Sequence, residues 1–385
     1  MIEKVLKELA RFSVARPVAM LLLIAIFTCL STIAISHIKM QTAFEKMLPQ
    51  SNKIIQTLYE VRDKFGGTDI ITIVVKLKNS NSPEKIEDIR DPRVLKLVKF
   101  LEEDLSGIDG ITSVSSPVDA IIRANNNTVP DDIKTVKKIY NMLPLSEREK
   151  IFDPSFSMTI INAFTDAGAD QKKLFRVMNE VNERIEEAPI PPGVEVIATG
   201  TPPMRVLMSK LMKESQRFTT MLGLVGIIII LFLYFKRPLT SIMPLIPVIL
   251  GIIWTLGTMG ALNIPLDMAT AGIGSLILGL GIDYGIHLIH RYEEERRNGK
   301  KIEEALEIAV VSTGTAVLAT TATTVVGFGA LVFAPLPMMA NLGKVCAIGL
   351  TYCMLAVLLL LPSLIVIEER KIIPLIKKLR GGGKK

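Results

Sequence analysis

Three titratable side chains share one helical face in the stretch Gly279-Leu-Gly-Ile-Asp283-Tyr284-Gly-Ile-His287-Leu-Ile-His290-Arg291. Asp283, His287 and His290 stand at i, i+4 and i+7, so on a helix all three project to one side. The stretch closes an apolar run that begins near Ala269. At a rise of about 1.5 Å per residue, Asp283 lies about 12 Å inside the boundary marked by Arg291. A carboxylate at that depth costs roughly 2.5–3.5 kcal/mol on insertion scales, and such groups usually mark ion or proton routes. The alternative is a carboxylate neutralised by a partner for packing alone. Imidazole exchanges protons near neutral pH, which makes His287 a step from Asp283 towards the cytoplasm. It reads equally as a hydrogen-bonded packing residue, and His290, beside Arg291, reads as interfacial. Tyr284 offers a phenol that a carboxylate on a neighbouring helix would meet, or that simply bonds a backbone carbonyl. Gly279, Gly281 and Gly285 lie within about one turn of Asp283 and would let neighbouring helices approach closely.

The next apolar run is rich in hydroxyls: Ser312, Thr313, Thr315, Thr320, Thr321, Thr323 and Thr324. Such groups can bond their own backbone in lipid. As a set they supply the small polar surface a buried carboxylate needs, and Thr320 and Thr324, near mid-membrane on one face, are expected to line the Asp283 site. The chain contains no G-x-x-x-x-G-K-[ST], H-E-x-x-H or G-x-S-x-G sequence, so neither an ATPase nor a hydrolase is indicated. We expect no enzyme activity, no metal and no cofactor. An ion gradient is then the energy source, because a proton crossing 100 mV releases about 2.3 kcal/mol.

These groups need a membrane to position them. Of the 385 residues 49% are hydrophobic, the mean hydropathy is +0.41, and the apolar residues are clustered. The net charge is +7, but the basic residues crowd beside the apolar runs, which indicates membrane orientation rather than nucleic-acid binding. Cys29, Cys346 and Cys353 all fall within apolar runs, so no disulfide framework or metal-type spacing exists. The run Val18–Ile35 is long enough to span the hydrocarbon core, and no small-x-small cleavage site follows it. Five more runs follow, Phe218–Phe235, Ile242–Leu262, Ala269–His287, Val310–Phe333 and Val345–Ile367. Lysine and arginine concentrate at the N-terminus, at Lys236-Arg237-Pro238, at Arg291–Lys301 and after Arg370. The positive-inside rule therefore puts both termini in the cytoplasm. The expected order is a cytoplasmic segment 1–17, a first span 18–36, an extracytoplasmic domain 37–216, a five-span bundle 217–368 and a cytoplasmic tail 369–385. Within the bundle, the connector 291–309 presents Ile302, Ala305, Leu306 and Ala309 on one face and is expected to lie along the inner membrane surface.

The hydrophilic middle reads as α+β. Ile70–Lys78, Ile111–Val118, Ser157–Phe164 and Val194–Thr199 are expected strands. Pro92–Ser106 and Asp170–Ala188 are expected helices between them, and a short helix covers Ile133–Met142. Two β-α-β units in tandem suggest the ferredoxin-like arrangement. Met204, Met208 and Met212 follow at i, i+4, i+8 and share a helical face. Flexible thioethers suit the gripping of varied apolar ligands, although core packing is the alternative for such a stripe.

Several of these segments together resemble the resistance-nodulation-division superfamily. They are Gly279-Leu-Gly-Ile-Asp283-Tyr284 continuing to Arg291-Tyr-Glu-Glu, Ser312-Thr-Gly314, and Thr320-Thr-Ala-Thr-Thr324-Val-Val-Gly327-Phe-Gly329. Pro244-Leu-Ile-Pro247, the stretch Asn263–Ser275 and Leu360-Leu-Pro362 fit the same pattern, as does the topology of one span, a large outer domain and five spans. The nearest likeness is to the hydrophobe/amphiphile and MmpL-type lipid exporters, and it covers essentially the whole chain. The resemblance implies that Asp283 and Tyr284 form the proton relay, that the outer domain is a porter domain, and that the cargo is lipid-like or amphiphilic. Drug-efflux relatives typically use adjacent aspartates and an intramembrane lysine. Tyr284 in place of the second aspartate, and no lysine inside the apolar runs, point to the lipid-handling branch. Typical members carry the six-span unit twice, whereas this chain has it once, which implies a homodimer with the Asp283 helices meeting near a two-fold axis. A trimer, or pairing with a different half-size protein, is the alternative. Two other functions fit six spans and an outer domain: a SecD- or SecF-like protein-export accessory, and a non-transporting sterol-sensing-type lipid sensor. The absence of a D-A-N-V-type sequence argues against the first.

Overall fold

The computed structural model describes residues 2–65, 69–168, 170–236 and 238–372. The expected tail features around Lys377 and Lys378, the expected disorder of 381–385, and Arg237 lie outside the described residues. The chain divides into two compact units, residues 1–49 with 211–385, and residues 50–210.

The first unit opens with α1 (Ile2–Ala15) and α2 (Pro17–Ile35). Proline at the start of α2 costs nothing, since the first helical amides have no acceptor. The basic N-terminus was expected only as an orientation signal; it forms a full helix whose Leu6, Ala10, Ser13 and Val14 are buried.

The second unit begins with α3 (Lys53–Phe65) and β1 (Asp69–Leu77). β1 alternates, with Ile71, Ile73 and Val75 buried, as the two-residue period of a strand with one covered face requires. α4 (Pro92–Ser106) is started by the Asp91 side chain, which accepts from the Arg93 amide, and its Val94, Leu95, Val98, Leu101 and Leu105 join the core. β2 (Ile111–Ser115), α5 (Asp119–Ala124), α6 (Ile133–Met142) and α7 (Leu145–Ile151) lead to β3 (Met158–Thr165), α8 (Gln171–Glu187) and β4 (Val194–Gly200). The sheet order is β2-β3-β1-β4 with every pairing antiparallel. This is the ferredoxin-like order the tandem β-α-β pattern implies.

A carboxylate organises the turn into β3. Asp153 Oδ1 accepts from the amides of Ser157 and Met158, both at 2.6 Å, and Oδ2 accepts from the Ser155 amide at 3.0 Å. Burial pushes its pKa up, but the hydrogen bonds from Ser155, Met158 and Ser157 outweigh it and bring the group down to about 2. Because the folded value is depressed, the turn's contribution is complete above about pH 4, where the unfolded carboxyl is also ionised, and is lost as pH falls towards 2. We expect the thermal unfolding of this unit, followed by circular dichroism, to steepen its acid dependence between pH 4 and 2. In an Asp153→Asn chain that increment should be absent.

The membrane unit resumes with α9 (Thr201–Phe235), α10 (Pro238–Ile242), α11 (Leu245–Ala261), α12 (Ile273–Arg297), α13 (Ile302–Ala330) and α14 (Pro337–Ile367). Among the described residues, six helices are long and apolar enough to cross a membrane, so the chain is a multi-pass membrane protein with a separate α+β domain. The 201–216 segment and the span after it form one 35-residue helix, because no proline occurs between Pro203 and Pro238.

Small residues set the helix spacing in this bundle. A Cβ at Gly260 would overlap the Ala34 carbonyl, so α2 and α11 approach at backbone distance, and one at Gly281 would sit 2.9 Å from Cys353 Sγ, so α12 leaves room for the α14 side chains. Trp254 of α11 donates to Thr28 of α2 at 2.9 Å. The connector expectation needs correcting. α12 continues to Arg297 and α13 begins at Ile302, so only residues 298–301 separate them. Ala305, Leu306 and Ala309 are fully buried in the bundle core rather than spread on a membrane surface. Packing against a neighbouring helix buries that apolar face more completely than an interface does.

Candidate functional site

α12 and α13 form the two walls of a groove of about 610 Å³. Asp283, Tyr284, His287, His290 and Arg291 line it from α12, and Ser312, Thr313, Thr320 and Thr324 from α13. The i, i+4, i+7 spacing thus delivers Asp283, His287 and His290 to one open face, and all three are exposed. Among the described residues, the Asp283 carboxylate has no hydrogen-bond or ion-pair partner. An ionisable group on an uncovered face of a membrane-spanning helix is costly unless something else covers it.

The two members of the Asp-Tyr pair differ in setting. Asp283 is exposed, whereas Tyr284 is 8% exposed at the floor of the groove, beside Thr321 and Cys353. Thr321 is buried, with its side chain against the Tyr284 phenol. Thr320 and Thr324 stand in the groove, but Thr324 donates to the Thr320 carbonyl at 2.8 Å, and Thr320 to those of Ala316 and Val317 at 3.2 and 3.1 Å. Their oxygen lone pairs remain available as acceptors for a proton donor in the groove.

The three glycines part company. Gly281 and Gly285 face inward, the latter with Pro244 3.0 Å from a built Cβ, while a Cβ at Gly279 meets nothing within 4 Å. Gly279 was expected to mediate packing; within this chain it does not, because its rotation about α12 puts it on the open side with Asp283. The methionine stripe divides as well. Met204 is 62% exposed and Met212 6% exposed, with Met208 between, so the three do not share one environment. Met204, Leu207 and Leu211 make up the exposed side of α9 there.

In the sequence Asp267 and Lys344 stand at outer helix ends and read as unpaired interfacial groups, with pairing to each other as the alternative. The structure shows neither for Asp267. Asp267, fully buried, accepts from the Ala269 and Thr270 amides at 3.0 Å and from Asn341 Nδ2 at 3.1 Å. It therefore pairs with Asn341 rather than with Lys344, which is exposed. The same loop exchanges backbone hydrogen bonds with the segment after α2, Leu266 with Lys39 and Gln41 at 2.8 Å. Asp267→Ala strands buried donors, so it should destabilise the solubilised protein by at least about 2 kcal/mol, visible as a lowered melting temperature in detergent. At the opposite end of α12, Tyr292 and Arg296 both hold Glu369, at 2.8 and 3.1 Å. The i, i+4 spacing of Tyr292 and Arg296 was visible in the sequence, but nothing local pointed to a carboxylate 73 residues away.

A cluster of three or more histidine, cysteine or carboxylate side chains able to hold a metal is absent among the described residues. Residues 157–381 match the MMPL family. The chain is 68% identical over 381 residues to the membrane protein MJ1562 of Methanocaldococcus jannaschii, covering 99% of this chain and 98% of that one. It is 29% identical over 151 residues to the transport protein MmpL12 of Mycobacterium tuberculosis, a match that covers 38% of this chain and 13% of MmpL12. Against the sulfolipid-1 exporter MmpL8 of the same organism it is 27% identical over 155 residues, 38% of this chain and 14% of MmpL8. The mycobacterial relatives are thus far longer than the stretch they share with this chain. With six spans among the described residues, an α+β domain and a groove holding Asp283 between α12 and α13, the chain belongs to the MMPL family, as a polytopic membrane protein of the RND transporter type.

Proposed function

We propose that the protein is a proton-motive-force-driven exporter of lipid-like or amphiphilic compounds, working as an assembly of two or more protomers. The observation that carries this reading is the unpartnered Asp283 carboxylate, exposed on a membrane-spanning helix and faced by Thr320 and Thr324. A carboxylate there is tolerable if it takes up a proton in one state and meets a polar or charged partner in another. His287 and His290 lead from it to Arg291, giving a route for that proton. The open side of α12, with Gly279 beside Asp283, is the surface on which a second protomer would complete the site. Met204 and Met208 of α9 would supply adaptable contacts to an amphiphile.

The test is transport by the protein reconstituted in vesicles with an imposed pH gradient, using fluorescent phospholipid and fatty-acid analogues as cargo. Export that stops when a protonophore collapses the gradient supports the proposal. Binding of the analogues without gradient-dependent movement would favour the lipid-sensor reading instead.

A further inference from the structure

α1 divides into three sectors. Leu6, Ala10, Ser13 and Val14 face the bundle and are buried. Leu6 packs on Gly314 and Leu358, Ser13 donates to the Leu359 carbonyl at 3.3 Å, and Glu307 of α13 holds both Lys7 and Arg11, at 2.6 and 2.9 Å. A second sector carries Lys4, Lys7, Glu8 and Arg11. The third carries Ile2, Val5, Leu9 and Phe12, at i, i+3, i+7 and i+10, an arc of roughly 80° at about 100° per residue. Ile2, Val5 and Phe12 are 56, 53 and 44% exposed. α1 is thus docked by one stripe while an adjacent stripe of large apolar side chains is uncovered.

The depth of α1 says what covers it. Glu3, Lys4 and Lys7 border the same cavity as Ser312 and Thr315, and Ser312 stands across the groove from His290 and Arg291. The N-terminal half of α1 therefore lies level with the basic boundary of the spans, in the headgroup zone. One residue, Arg16, separates α1 from α2, whose own Val18, Leu22 and Leu23 are 54–61% exposed on a membrane-spanning helix. The open stripe of α1 is thereby continuous in sequence with a lipid-facing surface. Lys4 and Arg16 are exposed, and neither is engaged by a carboxylate among the described residues.

We infer that α1 is an interfacial helix: its Ile2, Val5, Leu9 and Phe12 stripe seats in the inner leaflet, and Lys4 and Arg16 bind anionic phospholipid headgroups there. Helices with this division of faces lie in the interface plane, with their apolar side at the acyl boundary and their basic residues among the headgroups. Because α1 is clamped to α13 through Glu307, lipid that seats α1 also braces the helix that forms one wall of the Asp283 groove.

The experiment uses the full chain, with Cys29→Ser to remove the exposed native thiol, in bilayers of phosphatidylcholine with or without phosphatidylglycerol. An environment-sensitive fluorophore is attached through Val5→Cys, Phe12→Cys or, as the water-facing control, Glu8→Cys. Brominated lipids should quench the probes at positions 5 and 12, and aqueous iodide should quench only the one at position 8. At equal mole fraction, brominated phosphatidylglycerol should quench position 5 more than brominated phosphatidylcholine. Replacing Lys4→Gln and Arg16→Gln should shrink that preference, by about fivefold per basic residue near an anionic surface. Iodide access at positions 5 and 12 would overturn the inference, as would equal quenching by the two lipids. So would energy transfer between labelled copies that replaces lipid quenching, because the stripe would then be a protein interface.

Discussion

Asp283→Asn is expected to abolish the proposed gradient-driven transport in reconstituted vesicles while leaving the protein folded. The amide has nearly the shape of the carboxylate but cannot gain or release a proton at any working pH. A positioned proton-transfer group contributes roughly 100-fold or more to the step it serves, so flux should fall by at least that factor, towards the leak. Stability should move the other way or not at all. The carboxylate has no partner among the described residues to lose, and its insertion cost of roughly 2.5–3.5 kcal/mol is removed with its charge. Loss of flux together with an unchanged or raised melting temperature in detergent separates a proton-carrying role from a packing role. Proton-dependent movement that persists in the Asn chain would refute the proposed mechanism.

The second large effect is a contrast between two glycines two residues apart, on opposite sides of α12. Gly281→Leu should fail to assemble a native bundle, because its Cβ would already lie 2.9 Å from Cys353 Sγ and 3.5 Å from Val248. Overpacking of this kind costs about 1–3 kcal/mol or more. Gly279→Leu should leave the individual chain folded, since a Cβ there meets nothing within 4 Å. It should nevertheless prevent close approach of another helix to the Asp283 face. Self-association in liposomes, read by energy transfer between labelled copies, and transport should then fall together. If Gly279→Leu changes neither, that face is not where protomers meet.

Much of the architecture was legible along the chain because the signals are local. The burial pattern of β1, with Ile71, Ile73 and Val75 inward, follows directly from alternating residue types, and Pro92 after the capping Asp91 marks the start of α4. The same locality misled at 291–309. Ile302, Ala305, Leu306 and Ala309 form an apolar face, but periodicity does not say whether lipid or another helix will cover it. At the basic N-terminus the charged positions of α1 are interleaved with two apolar stripes, one buried and one exposed, and only the packing separates them.

Residue type and spacing were enough to determine six apolar spans, an α+β domain, and a carboxylate within an apolar run with histidines on its face and hydroxyls on the next helix. Hydropathy and period are properties of a segment, and they survive into any fold the segment joins. Tertiary packing alone decided how each helix is turned about its own axis. That rotation put Asp283 and Gly279 on an open face, and Tyr284 and Gly281 against neighbours. It also brought Asp267 to Asn341 and Glu369 to Tyr292 and Arg296 across more than seventy residues. Such pairings follow from which surfaces of the helices bury best together, and that is a property of the assembled bundle.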